Sequence, residues 1–290
     1  MQLDIFEHSR DVMLRNDVLH ALEQRDAAAA RLAWRQLQSE YGDDHALAPL
    51  YTLVAALEHP RQAAFASAAE AAAALDHMQQ ALATAAQRLW PAATASAWLA
   101  PLRARLAERA AALPYQSDAA ETHAAALWLR AGELQQAVQA ASGIASWRRI
   151  PAPLSWMAQA CCRRDGVDAH WPLLAELAWL SPQRLDALCR SLADPVLERL
   201  RQRFDAEFEG DGNDEDLAWF PAWLLCERAS LAARLGQAEQ GLQRAPERAM
   251  RVLLDLLHLE RQGRQHDLPA RRRQLRELHP ALFALYMKTR

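Results

Sequence analysis

The chain has 290 residues, a formal net charge of −3 and an apolar fraction near one half, which is the balance of an ordinary soluble protein. No stretch reaches about 18 apolar residues without a charge, which excludes a transmembrane helix, and the acidic start MQLDIFEHSRDVMLRND lacks the basic-then-apolar order of a signal peptide. Ala supplies 63 residues while Ile, Val and Thr together supply 15, so a sheet has almost nothing to be built from and the chain reads as all-α.

The first expected elements are a pair of helices at 9–25 and 27–41, with Asp26 as the start signal between them and Gly42 as the stop. Ala27, Ala30, Trp34, Leu37 and Tyr41 fall on one stripe of the second. A third helix spans 45–58 and ends at Pro60; an Ala-rich helix follows over 61–89, and another over 92–112, bent at Pro101. Asp118 and Glu121 have capping-box spacing and open a helix over 119–131 that Gly132 breaks. A short helix at 134–142 ends at Gly143, and Pro151 and Pro153 introduce 154–164. Helices at 168–180, 182–193 and 195–208 follow with almost no loop, the last two opened by Ser181-Pro182 and Asp194-Pro195. Seven acids lie within 205–216, and no Lys or Arg occurs from Phe204 to Glu227. Residues 209–216 therefore read as a mobile acidic loop separating region 1–208 from helical region 217–290. About twelve to fifteen helices in all, arranged as stacked antiparallel hairpins, are expected.

The segment Gly132-Glu133-Leu134-Gln135-Gln136-Ala137-Val138, with Trp128 on the helix before it, resembles the inter-helix turn of a tetratricopeptide repeat, and Arg25–Ala30 with Trp34 echoes it. The usual Trp, Leu and Gly of the first helix fall on Glu121, Ala124 and Ala125, so the resemblance covers two hairpins at most. It implies a tetratricopeptide-like α–α superhelix that binds other proteins.

Catalytic signatures are missing: there is no nucleophile elbow, P-loop, dinucleotide fingerprint or H-E-x-x-H motif. Cys161, Cys162, His170 and Cys189 are spaced wrongly for zinc, and four cysteines without an export signal read as buried thiols of a reducing cytoplasm. Read as a calcium loop, 205–216 fails at Gly212 and at Asp216, where a longer Glu is needed. No metal or organic cofactor is expected. Of the 33 basic residues 32 are Arg, a bias that GC-rich codons explain, so Arg271, Arg272, Arg273 and Arg276 make weak evidence for nucleic-acid binding. The sharpest candidate is Trp219-Phe220-Pro221-Ala222-Trp223 beside Asp214, Glu215 and Asp216. Three aromatics in five residues are hard to bury on one helix, and an apolar anchor with an acidic rim suits a partner peptide carrying hydrophobic and basic residues. The expected function is thus a non-enzymatic interaction module. The alternatives are an enzyme with an unfamiliar helical site and nucleic-acid binding through the Arg-rich C-terminal helices.

Overall fold

The computed structural model describes residues 3–58, 63–241 and 243–289, with side chains from Arg10 onward. Every regular element among them is helical. The chain forms two compact units, Met1–Glu133 and Leu134–Arg290.

The first unit opens with α1 (Leu3–Glu23) and α2 (Ala27–Glu40), which pack together, and α3 (Leu47–Glu58) lies against α2. Asp26 caps α2 as its sequence suggests, its carboxylate accepting the Ala29 N–H at 2.9 Å. Ala30 and Leu37 of the expected stripe are fully buried, while Trp34 reaches over to donate its indole N–H to the Leu47 carbonyl at 3.0 Å. Pro60 and the first residues of the expected 61–89 helix lie outside the described residues. The Ala-rich helix begins only at Ala68, because Ser67 caps it and Glu70 reaches back to the Ala66 N–H at 2.9 Å. It continues as α4 (Ala68–His77), a π-helical segment Met78–Ala83 and α5 (Thr84–Leu89). Then α6 (Ala92–Ala110) runs through Pro101 and packs on α7 (Ala124–Ala131).

The capping box expected at Asp118 and Glu121 does not form. Residues Ala120–Thr122 make a 3-10 turn, Glu121 pairs with Arg130, and α7 starts later under a His123 cap. The Nδ1 atom of His123 accepts the Ala125 N–H at 3.2 Å. Gly132 then ends α7 with φ +85°, a left-handed conformation that glycine adopts at no steric cost.

The second unit holds α8 (Leu134–Ser142), α9 (Pro151–Asp165), α10 (Trp171–Leu180), α11 (Pro182–Leu192), α12 (Pro195–Glu207), α13 (Phe220–Glu227), α14 (Ala232–Leu235), α15 (Ala245–Arg261), α16 (Leu268–Leu278) and α17 (Pro280–Lys288). Asp194 caps α12 through the Val196 and Leu197 N–H groups, whereas Ser181 makes no side-chain cap, so Pro182 alone opens α11. Neighbours in sequence are often neighbours in space: α8 packs on α9, α15 on α16 and α16 on α17. The core centres on α10, buried from Leu173 to Trp179, with Trp171 and Trp223 fully enclosed.

Two loops of this unit are wound around a carboxylate that follows them in the chain. Asp216 accepts the N–H groups of Asp211, Gly212 and Asn213 at 3.0, 2.7 and 3.3 Å. Glu247, only 2% exposed, accepts those of Gly241 and Gln243 at 2.7 and 2.8 Å. A carboxylate at a helix start satisfies donors that would otherwise have no partner. Residues 209–216 thus lie inside the second unit, which begins at Leu134, and Asp214–Trp219 continue them as a 3-10 helix.

Candidate functional site

The aromatic run Trp219–Trp223 does not lie on one α-helix. Trp219 ends the 3-10 segment, and Phe220 with Pro221 starts α13, so the run changes helix type between Trp219 and Phe220. Phe220 and Trp223 face inward and are 2% and 0% exposed. The Phe204 ring meets both edge-on at 5.5 Å, and these two aromatics are core. This corrects their assignment to a partner surface. A side chain without exposed area gives a partner nothing to bury.

Trp219 has a different fate. It is partly exposed, and its ring lies 4.5 Å from His279 and 6.3 Å from Phe208, with Phe208 and His279 5.0 Å apart. All three are half-buried. The acidic loop borders them: Asp216, Asp211 and Glu209 pull the His279 pKa upward, against a larger downward effect of burial. Net, the imidazole is held below its ordinary value and stays neutral, which lets Nδ1 accept the Leu282 N–H at 3.1 Å and cap α17. Asp214 and Glu215 are exposed, and Glu215 accepts a hydrogen bond from Gln183 at 2.8 Å. Phe208 and His279 are partners that the sequence did not announce, because they lie 11 and 60 positions from Trp219 and meet it only in the fold.

The thiols Cys161, Cys162 and Cys189 are all buried. Burial pushes the last two up to about 12, where neither is a thiolate at neutral pH. The His170 ring turns instead to Asp165, at 3.0 Å. Among the described residues no group of three or more His, Cys, Asp or Glu side chains could hold a metal ion. Arg271 and Arg272 pair with Asp255 and Glu260 on α15, not with the acidic loop. The buried Glu176 accepts the Glu239 N–H at 2.9 Å and has Arg148 at 3.6 Å, so it too anchors a loop.

The first unit contains a feature that no motif signals. A cavity of about 550 Å³ opens between α3, α4, the π segment and α6. Tyr51, Ala55 and Ala56 line it from α3, Ala74 from α4, Met78 and Leu82 from the π segment, and Leu102 and Leu106 from α6. Thr52, His77, Arg105, Glu108 and Arg109 supply the charged and polar part of its lining. Ala55, Ala56 and Ala74 occupy little of the space that this lining encloses. No helix among the described residues is long and apolar enough to cross a membrane. Compared with known families, curated proteins and solved structures, the chain matches none.

Proposed function

We propose that this all-helical chain is a non-enzymatic interaction module of tetratricopeptide-like, hairpin-stacked character. Its partner surface is the Phe208–Trp219–His279 cluster with the acidic rim of Glu209, Asp211, Asp214, Glu215 and Asp216. The observation that carries the reading is the coincidence of a partly exposed indole, two half-buried rings beside it, and an acidic loop whose backbone Asp216 holds. Such a surface suits a peptide or helix of a partner protein that combines an apolar side chain with Lys or Arg. The aromatic group supplies contact area at little entropic cost, while the carboxylates steer and orient the basic partner. The packing of α1 on α2 and of α8 on α9, each within one unit, supports the hairpin reading. The buried acids support the non-enzymatic reading, since Glu176 and Glu247 each accept loop N–H groups.

The test is fluorescence anisotropy with two labelled peptides of equal length, one of alternating Leu and Lys and one of alternating Leu and Glu. The basic peptide should bind, more weakly as salt rises. Trp219→Ala should weaken it by about tenfold while the protein stays folded at the assay temperature. Equal binding of the acidic peptide, or indifference to Trp219→Ala, refutes the assignment.

A further inference from the structure

The cavity of the first unit has the size of a small-molecule site, for which about 300–1,000 Å³ is usual. Its walls come from four different segments, so it is a pit closed on several sides. A partner helix would need a long trough instead, with anchors every three or four residues. The body of the pit is aliphatic: Ala55, Ala74, Met78, Leu82, Leu102 and Leu106. Aliphatic walls take an alkyl chain by burial of apolar area and give no directional contact to a sugar or nucleotide.

The π segment is the second observation. It stands in the cavity wall, and single π turns inside α-helices occur frequently at functional sites. Met78 and Leu106 also line a smaller cavity of about 290 Å³ on their other side. Met has three rotatable bonds and a polarisable sulfur, so its rotation can extend the pit lengthwise. A flexible chain of variable length fits such a wall better than a rigid ring system does.

The charge of the rim selects the head group. Arg105 is exposed there and lies close enough to Arg25 to help hold that guanidinium below its ordinary value, after the larger effect of burial. Arg109 adds a second rim cation, fixed by its bond to the Ala63 carbonyl at 2.8 Å and its seat over the Phe65 ring at 3.8 Å. Among the described residues Glu108 is the one carboxylate in the lining, against two guanidinium groups, while Glu70 acts on Arg109 from outside it. A cationic rim over an aliphatic pit is complementary to one arrangement of ligand: an alkyl chain ending in an anion.

We propose that this cavity binds a single-chain anionic amphiphile, with its chain against Met78, Leu82 and Leu106 and its head group at Arg105 and Arg109.

The experiment is isothermal titration of the full chain with three ligands of equal chain length, each kept below its micelle concentration: dodecanoate, 1-dodecanol and dodecyltrimethylammonium. Dodecanoate should saturate at one per chain, bind about fivefold tighter than dodecanol and exceed the cation by more. Arg105→Ala, at an exposed position, should remove the preference for dodecanoate over dodecanol while leaving chain binding intact. Ala74→Trp should abolish binding by filling the pit; Ala56→Phe, judged by the same titration, replaces it if the first variant melts early. Four outcomes overturn the proposal: no saturable dodecanoate binding, equal affinity for all three heads, several molecules bound per chain, or full binding by a folded cavity-filling variant.

Discussion

The loop at 210–213 offers a direct test of how a carboxylate organises backbone. Asp216 accepts three N–H groups there, and Asn213 accepts the Glu215 N–H in the same capping box. A partly solvated hydrogen bond contributes about 0.5–1 kcal/mol net, and bonds to one acceptor are not additive, so Asp216→Ala should cost about 2 kcal/mol. For a unit of this size that lowers the melting temperature by about 4–8 °C. Gly210 supplies the internal control. A Cβ added there would meet the three Asp216 carboxyl atoms at 2.4–2.5 Å. Gly210→Ala should therefore cost about 1–3 kcal/mol alone and almost nothing in the Asp216→Ala background, where the obstruction is gone. Circular dichroism melts of the two single variants and the double variant measure the cycle. If Asp216→Ala costs less than about 0.5 kcal/mol, or the two effects simply add, the carboxylate does not hold this loop.

Other expectations follow from burial and protonation. Phe220→Ala and Trp223→Ala should each lose about 3–5 kcal/mol in urea denaturation, whereas Trp219→Ala should lose under half of that; three equal losses would place Trp219 in the core as well. His279 has its pKa held below the ordinary 6.5, so its neutral form is the one that folding favours. Its contribution is fully present above pH 6.5 and is lost as pH falls through the lowered folded value. His279→Asn keeps a capping acceptor that does not titrate, so the variant should lose less stability than the parent between pH 7.5 and 5, and parallel melting curves would contradict this. With Cys162 and Cys189 pushed up to about 12, neither should react with a disulfide reagent at pH 8 until urea is added. Prompt reaction of more than two thiols in the native protein would be inconsistent with that burial.

Local features were legible in the sequence where one residue decides the outcome alone. Asp26 and Asp194 cap α2 and α12 because a short carboxylate reaches the next N–H groups whatever surrounds it. Gly132 ends α7 for a similarly local reason. Reading failed where two partners compete. Glu121 turned to Arg130 instead of reaching back, and His123, a residue seldom thought of as a cap, took over. It failed again at Trp219–Trp223, because the burial of Phe220 and Trp223 depends on Phe204, a distant residue that meets both only in the fold. Alanine content did not announce the cavity. The cavity walls are separated by up to 58 positions, from Tyr51 to Arg109, and carry no shared pattern.

The position of the loop-organising carboxylates has a consequence for synthesis. Glu70 follows Ala66, Asp216 follows 211–213, and Glu247 follows Gly241 and Gln243. In each case the acceptor leaves the ribosome after the donors that it collects. The loop therefore cannot settle when its own residues emerge; it waits for the first turn of the next helix. With elongation at about 5–20 residues per second, that wait is about a second or less. These three loops are thus closed from their downstream side, and a nascent chain that has emerged only as far as Asn213 would hold an acidic segment whose amides still face water.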